Sequence, residues 1–183
     1  MWLLSSSPEQ QFDLPAPTLT VDELLKEDSF VTSSDNEYFF SRLVLTEVQR
    51  YAVAEITAGQ RKNPKWAAFR RGRITASNFG PVLKNASTSR APSQSLMKTL
   101  LGGYDVSGVH AVQWGQMHED IAIALYEKEN MVEVEKTGIW LSTSGKLGAS
   151  PDGFIRTDTI IEVKCPYSAR STTLADLASK KYF

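Results

Sequence analysis

The sequence predicts a mixed α/β or α+β fold, with the helices first and the sheet in the C-terminal half. Two observations lead to this prediction. Capping boxes at Thr20–Glu23 and Thr46–Gln49, and a long helical pattern over Val112–Asn130, indicate helices. Beyond Asn130, short runs of strand-like composition alternate with turn residues, which is typical of a strand meander.

The N-terminal part, residues 1–45, is predicted to be an acidic extension in front of a main domain that spans residues 46–183. Residues 1 to about 17 are rich in Ser, Pro and Gln, a composition that favours disorder. The first capping box predicts a short helix to about Lys26, and the second predicts a helix to about Gly59. Four residues form the apolar side of the second helix: Val48, Tyr51, Ala52 and Ile56.

Further elements follow along the main domain. Lys65–Gly72 is predicted to be a short basic helix or turn, a helix begins near Thr75–Asn78 and runs to about Lys84, and Ser93–Leu101 is helical. Five strand-like runs come after the long helix: Met131–Lys136, Gly138–Leu141, Leu147–Ser150, Gly153–Arg156 and Thr159–Lys164. The final stretch, Ser171–Phe183, again has a helical pattern.

Charge is unevenly distributed along the chain, although the formal net charge is only -1. Residues 1–60 contain ten acidic and three basic residues, whereas no acidic residue lies between Glu55 and Asp105. That acid-free stretch holds nine basic residues: Arg61, Lys62, Lys65, Arg70, Arg71, Arg73, Lys84, Arg90 and Lys98. Because a polyanion responds to the local field, the stretch suits nucleic-acid binding, as well as an ordinary solvated basic face.

Two further features bear on the compartment. The N-terminus lacks the basic and apolar regions of a secretory signal, and no apolar run approaches membrane-spanning length. The single cysteine, Cys165, excludes an internal disulfide framework and suits a reducing, intracellular compartment, which would be the nucleus in a eukaryote.

A carboxylate pair beside a lysine points most directly to chemistry. Side chains alternate along a strand, so Glu162 and Lys164 share one face while the apolar residues beside them take the other. Asp152 lies on the preceding strand of a predicted hairpin. A three-residue turn at 157–159 would place Asp152 opposite Lys164 and beside Glu162, whereas a two-residue turn would put it on the wrong face.

Two carboxylates beside a lysine suit a hard divalent cation. Mg²⁺ often binds through one or two carboxylates plus substrate phosphate, and Mn²⁺ also accepts such ligands. The metal would polarise a phosphoryl oxygen and help to form hydroxide, while Lys164 would position the water or offset developing charge. The alternative is that Asp152, Glu162 and Lys164 form only weak surface ion pairs.

A third carboxylate, Glu119, lies on the long helix. Apolar residues occur on both sides of it: Trp114, Ile121, Leu125, Ala122, Ile123 and Tyr126. The helix is therefore predicted to be buried nearly all round, and a buried carboxylate needs a partner such as a metal. The alternative is a partly exposed glutamate at a helix edge.

Four segments have a specific order and separation: Trp66–Ser77 (W…R-x-G-x-I-T-A-S), Trp114–Glu119 (W-G-x-x-x-E), Ser150–Gly153 (S-P-D-G) and Ile161–Pro166 (E-x-K-C-P). Together they resemble the motifs of the lambda-exonuclease (YqaJ-type viral recombinase) family. The resemblance covers about Thr46 to Tyr167 and leaves out the acid-rich N-terminal segment. It implies a PD-(D/E)xK fold, a restriction-endonuclease-like core in which helices flank a mixed sheet.

The resemblance also implies roles for individual residues. Asp152 and Glu162 would bind a metal, with the Val163 carbonyl completing the set. Glu119 would serve a second metal, directly or through water, and Lys164 would be the catalytic lysine.

A DNA-end site is implied as well. Arg70 and Ser77 match positions that hold the 5′-phosphate, and Arg71 or Arg73 would be able to share the role of Arg70. An arginine can fork onto a phosphate, and Ser77 near a helix N-terminus adds further donors.

The expected activity is therefore Mg²⁺-dependent hydrolysis of phosphodiester bonds in DNA, 5′ to 3′ from duplex ends, in recombination or repair. The direction follows from the resemblance alone. There are two alternatives. One is a structure- or site-selective endonuclease, and the other is a catalytically silent DNA-binding or interaction remnant of a viral or mobile-element nuclease.

Because the family continues beyond the E-x-K strand, the chain ending at Phe183 is expected to lack C-terminal elements. A homotrimer is known in the family, and nothing in the sequence itself indicates one.

Overall fold

The computed structural model describes residues 19–33, 35–88, 90–104, 106–156, 158–173 and 176. Within these residues the helices are α1 (Val21–Leu24), α2 (Asp28–Ser33), α3 (Asn36–Leu43), α4 (Glu47–Ile56), α5 (Pro64–Arg70), α6 (Phe79–Ala86), α7 (Gln94–Leu100) and α8 (His110–Asn130). The strands are β1 (Ile74–Thr75), β2 (Trp140–Leu141), β3 (Leu147–Ala149), β4 (Gly153–Ile155) and β5 (Thr159–Ile161). Short 3₁₀ turns lie at Gln60–Lys62 and Tyr167–Ala169. The predicted mixed α+β class is confirmed.

The first three helices fold onto the rest of the chain. Both predicted capping boxes form: the Thr20 and Thr46 hydroxyls accept from the amide three residues on, and the N3 side chain accepts from the cap amide. Val21, Leu24 and Leu43 are buried together, α1 also packs on α5, and the Leu45 amide donates to the Thr143 carbonyl. Packing is therefore continuous across the boundary predicted at residue 45. Residues 1–18, where disorder is predicted, lie outside the described residues.

A three-stranded sheet in the order β1-β3-β2 forms the centre of the molecule. β1 runs parallel to β3, and β2 runs antiparallel to it with Trp140 opposite Ala149. Helix α4 packs on β2, and the core between them contains Leu45, Val53, Phe69, Ile139 and Leu141. The carboxyl ends of β1 and β3 therefore lie at one edge of the sheet, beside the start of β2.

The second sheet is a hairpin of β4 and β5. It packs through Ile155 and Ile161 on Ile123 of α8 and on Val134. The strand predicted over Met131–Lys136 is reduced to one bridge, between Glu135 and Phe154. The helix predicted over Ser171–Phe183 falls almost entirely outside the described residues.

Two predicted apolar faces are more exposed than expected. On α4, Val48 and Tyr51 are 46% and 56% exposed, because the helix turns Val53 and Ala54 to the core instead. On α8, Ile123 is buried but Ile121 and Leu125 are each 55% exposed. The prediction that α8 is buried nearly all round is wrong, because the described residues pack on only one of its sides. No helix in this part of the chain has the length and hydrophobicity that a membrane span needs.

Candidate active site

The β4–β5 hairpin brings Asp152 and Glu162 together. Its register pairs Gly153 with Ile161, so one further step places Asp152 across from Glu162. The Asp152 amide donates to the Ile161 carbonyl at 3.0 Å, which extends the pairing beyond β4. The turn has three residues, as the site requires, but it spans 156–158 and not 157–159. Asp152 therefore faces Glu162 and not Lys164, while keeping the predicted side of the sheet.

Asp152 is half-buried at the centre of several charges. Its Oδ2 accepts a hydrogen bond from the Val163 amide at 2.5 Å. Burial raises the pKa of its carboxyl, and the negative charges of Glu162 and Glu119 raise it further. The Val163 hydrogen bond and the charge of Lys164 lower the pKa in the opposite direction. The structure thus brings together the side chains that the sequence placed in one site.

The other acidic residues are each engaged with a nearby cation. Glu162 and Lys164 lie just beyond the end of β5, which is shorter than the predicted strand, and they form an exposed ion pair. Glu119 pairs with Arg61 at 3.2 Å, so it is a partly exposed glutamate with a protein partner. Helix α8 comes close to the E-x-K segment at Gly115, where a Cβ would lie 4.0 Å from the Cys165 carbonyl oxygen.

The chemistry of Asp152, Glu162 and Glu119 fits a divalent cation, since each offers carboxylate oxygens. Within the described ranges, however, no three or more His, Cys, Asp and Glu side chains are arranged to hold a metal ion. A cation would compete with Lys164 for Glu162 and with Arg61 for Glu119. It would also relieve the crowding of carboxylates that raises the pKa of Asp152.

Arg70 and Ser77 form a second corner of the site. The Arg70 Nη2 donates to the Ser77 hydroxyl at 2.9 Å, and the guanidinium lies 4.2 Å from the centre of the Trp66 ring. Burial lowers the pKa of Arg70. The Trp66 indole donates to the Ser150 hydroxyl at 2.8 Å, which ties this corner to the S-P-D-G turn. A planar cation beside a hydroxyl is a suitable phosphate-binding arrangement.

Part of each corner opens into one cleft of about 1070 Å³, whose lining does not include Asp152, Val163 or Glu119. Arg70 and Ser77 line it together with Glu162 and Lys164. The cleft lies at the carboxyl ends of β1 and β3, where residues 76–77 and 149–151 form part of its lining. A phosphate at Arg70 and a phosphodiester near Lys164 would therefore share one solvent-filled space.

Arg73 has a different place from the one predicted. It is only 1% exposed, and its guanidinium donates to the carbonyls of Gly145 (2.8 Å), Phe69 (2.8 Å) and Leu19 (3.3 Å). Burial lowers its pKa to about 10. Because Arg73 is buried and every nitrogen of its guanidinium already donates to a backbone carbonyl, Arg73 is unsuited to contact DNA, and the prediction that it shares the role of Arg70 is wrong.

Arg71 lies on the surface and is paired with Asp22 of α1 at 2.6 Å. The pair joins the acid-rich N-terminal segment to the basic stretch. Arg71 is absent from the lining of the cleft.

Sequence reasoning missed several residues that line the cleft. Tyr51, Trp140 and Phe154 form one side of it, and Glu55 and Glu135 lie among them. The signal for Tyr51 was misleading, because its spacing with Val48 and Ile56 suggested a core position. Arg61, the partner of Glu119, came from the acid-free stretch but was not singled out.

Comparison with known proteins gives a family and two similar structures. Residues 65–183 match the model of the YqaJ-like viral recombinase domain. One similar structure is LHK-Exo in complex with dAMP, at 30% identity and a TM-score of 0.48, covering 63% of this chain and 58% of that chain. Another is an alkaline exonuclease (LHK-Exo) from Laribacter hongkongensis, at 28% identity and a TM-score of 0.45, with the same 63% and 58% covered.

The chain thus spans less than two thirds of the length of these solved structures. No curated protein matches it at a significant level. The family model covers well over half of the 183 residues and includes all four motifs. The chain therefore belongs to the family of YqaJ-like viral recombinase domains.

Proposed function

We propose that this protein is a divalent-metal-dependent DNA exonuclease that hydrolyses phosphodiester bonds 5′ to 3′ from duplex ends. The observation that carries the proposal is the single cleft that Arg70 and Ser77 share with Glu162 and Lys164. An enzyme that digests from an end must hold that end at a fixed distance from the bond it cleaves. Membership of the viral recombinase family supports DNA as the substrate.

The two corners have different roles, and the carboxylates and Lys164 form the corner at which the bond is cleaved. Asp152 and Glu162 would hold the cation, the Val163 carbonyl would complete the set, and Glu119 would serve a second cation directly or through water. Such a cation, Mg²⁺ or Mn²⁺, supplies Lewis-acid polarisation of the phosphate and lowers the pKa of a bound water. Lys164 places a positive charge where negative charge develops on the phosphate.

The corner formed by Arg70 and Ser77, the end-binding corner, holds the DNA end in place relative to the bond that is cleaved. Arg70, fixed between the Trp66 ring and the Ser77 hydroxyl, offers its guanidinium to the terminal phosphate. Burial strengthens this contact, because a partly desolvated guanidinium gains more from an anion than an exposed one does.

The test is release of nucleotides from end-labelled linear duplex DNA with Mg²⁺. Asp152→Ala and Lys164→Ala should each reduce the rate by about 100-fold or more, the usual cost of removing electrostatic stabilisation of a transition state. Asp158→Ala is a matched control, because this carboxylate lies in the turn of the same hairpin and its side chain contacts Thr159. Equal activity in all three variants would refute the site.

A second candidate is a DNA-binding domain without hydrolytic activity. The observation in its favour is that Glu162 and Glu119 each pair with a protein cation. Isothermal titration with Mg²⁺ or Mn²⁺ separates the two functions. Absence of metal binding, together with intact binding of DNA, would favour the silent domain.

A further inference from the structure

Three aromatic rings from different elements form a wall of the cleft. Tyr51 of α4 meets Trp140 at the start of β2 with ring centres 5.0 Å apart and planes at 81°. Trp140 meets Phe154 of β4 at 5.6 Å and 73°. The Trp140 indole donates to the Thr137 hydroxyl at 2.9 Å, which fixes its ring. These edge-to-face contacts orient the Tyr51 ring, yet 56% of the residue stays exposed to the cleft and to solvent.

The aromatic wall is continuous with the end-binding corner formed by Arg70 and Ser77. Trp140 pairs with Ala149, and the residues that follow Ala149 reach Ser150, whose hydroxyl accepts from the Trp66 indole under Arg70. Residues 76–77 and 149–151 line the same cleft as Arg70 and the three rings. A path within one cleft thus joins Arg70 to the aromatic rings.

Charge differs between the two ends of this path. At the Arg70 corner the guanidinium lies beside hydroxyls. Around the wall, Glu55 follows Tyr51 by one helical turn and Glu135 is bridged to Phe154. Apart from Arg70, the cations that line the cleft are Arg156, Lys136 and Lys164. Lys136 is paired with Asp120, and Lys164 is paired with Glu162. The wall therefore offers aromatic surface without an excess of positive charge, which suits a neutral aromatic group better than another phosphate.

We propose that Tyr51, Trp140 and Phe154 form a stacking site for an unpaired nucleobase of the strand whose terminal phosphate lies at Arg70. This inference rests on the proposed function and adds a substrate class to it, namely ends whose 5′-terminal nucleotide is frayed or single-stranded. Any base has a π-face, so stacking holds the end without regard to sequence. Stacking also offsets part of the cost of unpairing the terminal base.

The test measures binding in EDTA, where metal-dependent hydrolysis cannot occur. The probes are two 5′-phosphorylated tetranucleotides carrying a 3′ fluorophore, one normal and one with an abasic first residue. For the wild type, loss of the base should weaken binding roughly five- to hundredfold, the range that base–aromatic stacking contributes. Tyr51→Ala should weaken binding of the normal probe by a similar factor, and should leave binding of the abasic probe unchanged.

Two variants of the same helix serve as controls. Tyr51→Phe keeps the ring and should bind both probes like the wild type. Val48→Ala removes an exposed apolar side chain one turn earlier on α4, outside the cleft, and should have no effect. Equal weakening of both probes by Tyr51→Ala would mean that Tyr51 acts only through the fold, and no weakening would mean that the wall does not contact the base. Either result overturns the stacking site.

Failure of this inference differs from failure of the proposed function. Metal-dependent digestion with base-independent binding would refute only the stacking site. Base-dependent binding without digestion would refute only the exonuclease, and no binding of either probe to the wild type would refute both.

Aromatic rings with nearby carboxylates can also hold a cationic group of a protein. Loss of lysine-rich peptide binding in Tyr51→Ala, with both oligonucleotides unaffected, would reassign the wall to such a partner and overturn the proposal.

Discussion

The region around Arg73 and the hairpin that carries Asp152 surround a buried or half-buried charge with different groups. Arg73 is shielded from solvent, and its guanidinium donates to three backbone carbonyls, which offsets part of the burial cost that lowers its pKa to about 10. Asp152 is half-buried beside two other carboxylates, and their negative charges and its burial disfavour its ionised form. The first arrangement stabilises the fold. The second keeps like charges together at a cost to stability, which is typical of functional sites and which a bound cation would offset.

The largest effect that this comparison predicts is on stability at Arg73. Arg73→Met should lower the free energy of unfolding by about 3–5 kcal/mol, because several buried carbonyls lose a charged donor. Arg70→Met, three residues earlier, should cost about 1 kcal/mol, because its partners are two hydroxyls and the Trp66 ring. Urea unfolding followed by circular dichroism measures both. Similar losses in the two variants would contradict the division between a structural and a functional arginine.

Several features of this comparison follow from the sequence, since local rules determine them. Once the turn has three residues, strand parity puts Asp152 and Glu162 on one face wherever the turn begins. The capping boxes at Thr20 and Thr46 involve residues three apart, so tertiary packing has little influence on them.

Other features depend on contacts that are distant along the chain. Arg73 resembles its neighbours in the basic stretch, and only the approach of Gly145 and Leu19 makes it structural. Gly145 has a φ of +65°, and a Cβ there would collide with the Leu43 carbonyl, so its glycine serves this approach. The exposure of Tyr51 has the same origin, since its helical spacing is equally compatible with a core position.

The next effect concerns the corner formed by Arg70 and Ser77, for which we propose binding of a DNA end. Arg70→Ala should slow digestion of 5′-phosphorylated ends by roughly tenfold to a hundredfold, the value of a lost charge-assisted contact of about 1.5–3 kcal/mol. Ends with a 5′-hydroxyl should be affected much less. Arg71→Ala is the control, because Arg71 pairs with Asp22 away from the cleft. Equal slowing on both kinds of end would mean that Arg70 adds general DNA affinity, and the endonuclease would then gain support.

A smaller effect is expected in the pH dependence of hydrolysis. In the proposed function, metal binding requires an ionised Asp152, and the pKa of this carboxyl is raised by burial and by Glu162 and Glu119. As the pH falls, activity should therefore decline at a pH above the ordinary range of an aspartate. Higher Mg²⁺ concentration should shift the decline to lower pH, because metal and proton compete for the same oxygens. A decline that is independent of Mg²⁺ would indicate that another group limits the rate.

The smallest effect is on the stability of the metal-free protein, and its sign is unusual. A carboxyl whose pKa is raised by folding binds protons more tightly in the folded state, so ionising it at neutral pH costs stability. Asp152→Asn removes this penalty while the amide oxygen can still accept from the Val163 amide. The variant should therefore be more stable than the wild type at pH 7 in EDTA, by no more than about 0.5 kcal/mol because partial exposure screens the charges. The difference should vanish as the pH falls below 3.8, the value for an unperturbed aspartate.

Saturating Mg²⁺ should make the wild type more stable than Asp152→Asn. A cation that binds only the folded wild type adds to its stability in proportion to the logarithm of the ratio of cation concentration to Kd. Thermal unfolding of both proteins with EDTA and with Mg²⁺ measures the crossing. If Asp152→Asn is less stable than the wild type in EDTA as well, Asp152 stabilises the fold through its hydrogen bond, and the contrast with Arg73 no longer holds.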